Sequence, residues 1–160
     1  MKAFNKIGLS GITVFLIALL FNTACIAQTG FTDVNEIEKE IWFEQNYDAY
    51  TPEAEQIEQL NVPDGVEILV FGGTWCPDTR RLVPEFYNIM DEAGVDREQA
   101  PLYLIDRDFT SDLALEEKFD INSVPTFVIL KDGKEAGRIV NPSPGSLEQE
   151  IVDQLEKIDS

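Results

Sequence analysis

From Val66 to the end of the chain, apolar runs of strand length alternate with apolar stripes of helical spacing, and this order strongly constrains the fold. The predicted order is strand, helix, strand, helix, strand, strand, helix. Such an order joins one parallel crossover unit to an antiparallel hairpin. We therefore predict an α/β fold in which helices flank both faces of a mixed sheet.

The individual elements follow from hydrophobic periodicity and turn residues. The predicted strands run from Val66 to Phe71, Leu102 to Ile105, Thr126 to Leu130 and Glu135 to Val140. The predicted helices run from Pro77 to about Glu92, from a cap at Thr110 or Ser111 to about Phe119, and from Ser146 onward. Asp132-Gly133 predicts the tight turn of the hairpin. A capping box between Ser146 and Gln149 predicts the start of the last helix.

Residues 1–27 are typical of an export signal. Lys2 and Lys6 precede the apolar stretch from Ile7 to Phe21, and small residues lead to a predicted cleavage site after Ala27. A membrane anchor and a lipidated N-terminus at Cys25 are the alternatives. Either processing route predicts an extracytoplasmic protein, located in the periplasm or envelope or secreted, and insertion of the mature domain into a membrane is not expected unless Cys25 is lipidated.

We predict that residues 28–65 form a helical extension, which packs on a domain formed by residues 66–160. Thr32 is a plausible cap for a first helix with its apolar stripe from Val34 to Phe43. Thr51 is predicted to cap a second helix, with Pro52 at its first position. Covering the sheet is the simplest role for this extension, and partner contact is the alternative.

The composition excludes several classes of function. The 160 residues have a formal net charge of -18, so phosphate backbones repel the chain and no nucleic-acid partner is expected. The chain contains no histidine, which removes His-dependent catalysis and the commonest zinc ligand. Asp106-Arg107-Asp108 lacks the glycine that a calcium loop needs, which excludes such a loop. We expect no metal site and no cofactor.

Cys76 is the one cysteine beyond the N-terminal leader, and it follows Gly72-Gly73 where a strand gives way to a helix. Unpaired backbone N–H groups and the positive end of the helix dipole favour a thiolate at such a position. Arg80, one helical turn away, favours the thiolate further, whereas Asp78 opposes it. An isolated cysteine is more often a small buried apolar residue, but a loop at the carboxyl edge of a sheet favours a reactive thiol.

Three motifs resemble those of the thioredoxin family. Trp75-Cys76-Pro77-Asp78-Thr79 resembles the Trp-Cys-x-x-Cys site, Pro84 matches the family's helix-kinking proline, and Val124-Pro125-Thr126 matches its cis-proline loop. The resemblance covers Val66 to Ile158. It implies a thioredoxin-like mixed sheet, here with an N-terminal helical extension, and a catalytic role for Cys76.

The resemblance also exposes departures from the family pattern. Thr79 stands where the family has its second cysteine, so no intramolecular Cys-x-x-Cys disulfide can form and exchange would be monothiol. Thr79 is then either a polar residue that opens the helix or a hydroxyl that tunes the thiolate, together with Arg80 and Asp78. Val70 replaces the family's buried carboxylate, and the lysine that often accompanies that carboxylate is replaced around Tyr103.

A substrate groove beside Cys76 is a further implication of the resemblance. A cis peptide bond before Pro125 would place this proline opposite Cys76, and the Val124 backbone would bind an extended substrate strand. Pro77 and Thr126 complete the predicted substrate-binding set. Trp75 is either an exposed platform for the same strand or a core aromatic residue.

These observations predict an exported protein that carries out monothiol thiol-disulfide exchange through Cys76 in cell redox homeostasis. The expected partners are cysteine-containing proteins or low-molecular-weight thiols, and we expect a monomer. One alternative is a catalytically degenerate binding module that keeps the groove. Another is a thiol peroxidase, which ranks last because Thr74 is misplaced for a peroxidase site.

Overall fold

The computed structural model describes residues 31–32, 34–111 and 113–159. The predicted export signal, including Cys25, lies outside these residues. The strands are β1 Phe31–Thr32, β2 Val66–Gly72, β3 Leu102–Leu104, β4 Thr126–Lys131 and β5 Lys134–Val140. The helices are α1 Val34–Ile37, α2 Ile41–Ala49, α3 Ala54–Gln59, α4 Pro77–Glu92, α5 Leu115–Lys118 and α6 Leu147–Asp159, with a 3-10 turn at Arg97–Gln99.

The five strands form one mixed sheet in the order β1-β3-β2-β4-β5. Strand β2 pairs in parallel with β3 and antiparallel with β4, and β5 pairs antiparallel with β4. The predicted crossover unit and hairpin are therefore confirmed. Asp132 and Gly133 at the hairpin turn have φ values of 50° and 74°, as a type I′ turn requires.

Strand β2 is central, and its two faces build two separate apolar clusters. Every β2 residue except Glu67 is buried, as expected of a strand covered on both sides. Val66, Ile68 and Val70 belong to the larger cluster, which includes buried side chains of α2, α4 and α6. Leu69 and Phe71 belong to the smaller cluster, which also contains Cys76. Because side chains alternate along β2, Val70 lies on one face of the sheet and Phe71 on the other. Cys76 packs on the face of Phe71, so Val70 and Cys76 belong to different clusters.

The structure corrects the predicted N-terminal helices. Thr32 lies in β1 instead of capping a helix, and the predicted first helix is divided into α1 and α2. Thr51 and Pro52 precede α3, whose N-cap is Glu53. Tertiary contacts explain the difference, because pairing with β3 holds Thr32 in extended conformation and competes with its use as a cap.

Two further caps differ from the prediction. Helix α5 covers only Leu115–Lys118, and Ala114 at its N-cap has a φ of 48°. The Ser111 hydroxyl instead contacts the carboxylate of Glu116. At the start of α6, the Ser146 hydroxyl contacts Glu150 and the Ser143 carbonyl, and a capping box with Gln149 is not the observed pairing. Helix α4 has the predicted bounds and continues through Pro84.

Candidate functional site

Cys76 lies at the junction of β2 and α4, on the loop formed by residues 73–76. It is the N-cap residue of α4, and Pro77 follows at the first helical position, where the missing N–H of proline costs nothing. The Cys76 side chain is 8% exposed. Cys76 is therefore buried, at the positive end of the α4 dipole.

The sulfur of Cys76 faces the loop that precedes β4. Its Sγ lies 3.3 Å from the carbonyl oxygen of Val124, an acceptor that the protonated thiol can use. The peptide bond between Val124 and Pro125 is cis. The Pro125 carbonyl accepts a hydrogen bond from the N–H of Asn141, which attaches this loop to the end of β5. Two segments that are 48 residues apart in sequence therefore meet at the thiol.

Three hydrogen bonds fix the loop of residues 73–76. The Cys76 N–H donates to the Gly73 carbonyl at 2.8 Å and closes a turn. The Gly73 N–H donates to the Thr79 hydroxyl at 3.2 Å, and Nε of Arg80 donates to the Thr74 carbonyl at 2.5 Å. Two neighbouring side chains in the first turn of α4 thus hold the backbone that presents Cys76.

The predicted tuning residues occupy different environments. Thr79 is 1% exposed, and its hydroxyl bonds to Gly73. Arg80 is exposed, and its guanidinium carbon lies 5.9 Å from the centre of the Trp42 ring. Asp78 is also exposed and lies 3.9 Å from Arg81. The contact between Arg80 and Trp42 joins α2 to the site, and no periodicity in the sequence indicates it.

Trp75 is half-buried, so it is neither the fully exposed platform nor the core aromatic residue that the sequence suggested as alternatives. Its indole N–H donates to the Ile105 carbonyl at 3.0 Å, and its ring meets Phe109 edge to face. The guanidinium of Arg107 lies 5.2 Å from the centre of the same ring. Trp75 is therefore oriented by the segment after β3 while part of its ring stays accessible.

The remaining predicted substrate-binding residues lie on the segments that flank Cys76. Val124, Pro125 and Thr126 are buried and Pro77 is exposed. The Thr126 hydroxyl donates to the Ser123 carbonyl at 2.8 Å. The structure therefore brings Cys76 together with the Val124–Thr126 segment, while Asp78 points to solvent.

Carboxylates near the site have structural partners. The Asp106 carboxylate accepts hydrogen bonds from the N–H groups of Thr110 and Asp108 and from the Thr110 hydroxyl. These bonds, chiefly those from Thr110, hold the pKa of Asp106 below its usual value. At the position of the family's buried carboxylate, Val70 is fully buried. Within the described residues, no group of acidic or thiol side chains could hold a metal ion.

In the part of the chain that the structure describes, no helix has both the length and the apolar character that a membrane crossing requires.

Comparison with known proteins identifies the family. The family model described as Thioredoxin matches residues 49–155. Among curated proteins, thioredoxin from Malassezia sympodialis is 31% identical over 97 residues, which cover 61% of this chain and 89% of that protein. Thioredoxin-2 from Saccharomyces cerevisiae is 28% identical, with 58% of this chain and 83% of that protein covered. The TPR repeat-containing thioredoxin TDX from Arabidopsis thaliana is 36% identical over 84 residues, but these span only 20% of its length and 52% of this chain.

Solved structures give matches of similar extent. The crystal structure of the Malassezia sympodialis thioredoxin is 28% identical, with a TM-score of 0.44, and the match covers 66% of this chain and 90% of that one. The Fasciola hepatica thioredoxin is 24% identical, with a TM-score of 0.42, and the match covers 61% of this chain and 85% of that one. Because the family model covers more than half of the sequence, the chain belongs to the thioredoxin family.

Proposed function

We propose that this protein carries out monothiol thiol-disulfide exchange through Cys76. The observation that carries the proposal is the approach of Sγ to within 3.3 Å of the Val124 carbonyl, beside the cis peptide bond of Pro125. An extended substrate strand placed along Val124 would bring its own sulfur against Sγ. This arrangement supports a substrate groove beside the thiol.

The exchange begins with the thiolate of Cys76. Sγ attacks one sulfur of a substrate disulfide, forms a new S–S bond to it and expels the second sulfur as a thiolate. The position of Thr79 supplies a hydroxyl, which cannot break this mixed disulfide. An outside thiolate, from a small thiol or a second substrate cysteine, attacks the substrate sulfur and releases Cys76 as a thiolate. Each step makes one S–S bond and breaks one, so electrons balance throughout.

The proposed substrates are cysteine-containing proteins, with low-molecular-weight thiols as the releasing partners. The proposed location is extracytoplasmic, which rests on residues 1–27 of the sequence. Mass spectrometry of the N-terminus of the protein isolated from its native cell tests this location. An N-terminus at Gln28 supports cleavage after Ala27, a lipid-modified Cys25 supports a lipoprotein, and an intact Met1 in the cytoplasm rejects export.

Reduction of a disulfide-containing protein by a small thiol tests the chemistry. We expect the rate above the uncatalysed reaction to require Cys76, to vanish in Cys76→Ser and to rise in proportion to the small-thiol concentration. The matched variant Thr79→Cys supplies the missing second thiol, so it should release one equivalent of reduced substrate without a small thiol. A wild-type protein that gives no rate enhancement and traps no mixed disulfide would reject the proposal.

A binding module without turnover is the second candidate. The observation in its favour is the burial of Cys76 together with Val70 at the position of the family's carboxylate. This function predicts that partner binding in the groove survives Cys76→Ser. Capture of partners by the serine variant, combined with an inactive wild-type protein, would favour the binding module over exchange.

A further inference from the structure

Helix α2, which lies in the N-terminal extension, packs along α4. Phe43 is 2% exposed and its ring lies 6.3 Å from the ring of Tyr87. The side-chain amide of Asn88 donates to the Tyr47 carbonyl at 2.9 Å, and the Tyr47 hydroxyl donates to Asp91 at 2.7 Å. Helix α2 is therefore attached to the middle and the end of α4 by buried and half-buried contacts.

Near the beginning of α2, Trp42 meets the first turn of α4. The guanidinium carbon of Arg80 lies 5.9 Å from the centre of the Trp42 ring, within the range of a cation–π contact. On its other side, Nε of Arg80 donates to the Thr74 carbonyl at 2.5 Å. An exposed arginine that had only one of these partners would have more rotamers to occupy. Arg80 thus has one partner on α2 and another on the loop of residues 73–76.

We propose that Trp42 is a positioning residue for the Cys76 loop and acts through Arg80. The inference rests on the proposed function only for its catalytic consequence, because the ordering of the loop is a property of the folded protein. Helix α2 then does more than cover the core. It keeps the Arg80 side chain bonded to the backbone that presents the thiol, which orders the loop.

Hydrogen exchange of the full-length protein, followed by mass spectrometry, tests the ordering directly. Trp42→Ala should speed exchange of the amides of residues 73–76 about two- to fivefold, the factor that corresponds to one exposed cation–π contact. Trp42→Phe keeps an aromatic face and should give a smaller change. Ile41→Ala is the matched control, because Ile41 is the preceding α2 residue and is 70% exposed.

A double-mutant cycle separates positioning from general loosening of α2. Arg80→Met keeps an unbranched stem but removes the guanidinium, so it should speed exchange in the loop while the amides of α2 stay protected. Trp42→Ala added to Arg80→Met should then have no further effect on the loop. If Trp42→Ala unfolds α2, the same cycle with Trp42→Phe decides the question. An unchanged loop in Arg80→Met, or equal effects of the Trp42 substitution with and without Arg80, would overturn the proposal.

The rate of Cys76 alkylation at a single pH adds a readout at the thiol itself. Trp42→Ala and Arg80→Met should raise this rate, because a loosened loop exposes the buried thiol, and Arg80→Lys, which keeps a donor and the charge, should raise it less. Equal rates for wild type, Trp42→Ala and Arg80→Met would reject the effect on Cys76. Absence of disulfide exchange in the wild type would reject the proposed function and leave the hydrogen-exchange result standing.

Discussion

The Thr79 hydroxyl accepts a hydrogen bond from the backbone N–H of Gly73, with 3.2 Å between Oγ1 and N. Thr79, which the sequence resemblance aligns with the family's second cysteine, is 1% exposed. Its side chain therefore ties the first turn of α4 to the loop before Cys76. A buried backbone N–H is costly when it lacks an acceptor, so this contact has a stabilising role besides any effect on the thiol.

Thr79→Val removes the hydroxyl and keeps the shape of the side chain. We expect the free energy of unfolding to fall by about 1–3 kcal/mol, because the Gly73 N–H is left without its acceptor. Urea denaturation monitored by circular dichroism measures the change. Thr79→Ser is the control that keeps the hydroxyl, and a valine variant as stable as the serine variant would contradict the assignment.

Gly72→Ala should also destabilise the protein, for a steric reason. A Cβ at Gly72 would lie 2.9 Å from Cγ2 of Thr79 and 3.7 Å from Cγ2 of Val83. We expect a cost of about 1–3 kcal/mol from overpacking. Because Thr79→Ser removes the methyl group in question, Gly72→Ala should cost less in that background. Equal costs in both backgrounds, measured by urea denaturation, would show that Thr79 is not the obstacle.

Tyr87→Phe should destabilise the larger apolar cluster, which contains Tyr87. The Tyr87 side chain is fully buried, and its hydroxyl donates to the Ala100 carbonyl at 2.7 Å. Removing the donor leaves that carbonyl unpaired, at a cost of about 1–3 kcal/mol. Tyr47→Phe is the matched comparison and should cost less, since Asp91 keeps its contact with Arg97. A smaller loss for Tyr87→Phe than for Tyr47→Phe would contradict this ranking.

Mild acidification should stabilise the protein. Burial raises the pKa of Glu85 above its ordinary value of 4.5, although Arg81 opposes the shift, and burial likewise raises the pKa of Asp91. The folded state therefore binds these protons more tightly than the unfolded state does. Stability falls as pH rises through the folded pKa values and increases as pH falls back through them. Self-repulsion at a net charge of -18 acts in the same direction.

Denaturation at about pH 4.5, the ordinary pKa of Glu85, and at pH 7 tests this linkage. Wild type should be more stable at the lower pH, and Glu85→Gln should show a smaller difference because the substituted residue cannot titrate. Asp106, whose pKa is lowered, acts in the opposite direction as pH falls toward and below its ordinary value of 3.8. Lower stability of the wild type at pH 4.5 than at pH 7, with no difference between wild type and Glu85→Gln, would contradict the prediction.

Periodicity and turn chemistry predicted the elements that depend on local signals. Helix α4 has the predicted bounds because Pro77 suits a first helical position and the apolar stripe from Leu82 to Met90 is long. The hairpin of β4 and β5 follows from Asp132-Gly133, whose backbone suits only a tight turn. The predicted caps of two short helices were wrong. Glu53 rather than Thr51 is the N-cap of α3, and its N–H donates to Glu148 of α6, a tertiary contact. Ala114 is the N-cap of α5, while the Ser111 hydroxyl contacts Glu116 within that helix.

The sequence by itself determined the order of strands and helices from Val66 onward, and with it the family, because apolar periodicity and the three motifs around Cys76, Pro84 and Pro125 are local. It also determined that a second thiol is absent at Thr79. Only the tertiary structure decided that Thr79 bonds to Gly73, that Val124 faces Cys76 and that Trp42 contacts Arg80. Periodicity shows which face of a helix is buried, but it does not show which side chains of distant segments meet. Those pairs depend on how the helices pack on the sheet.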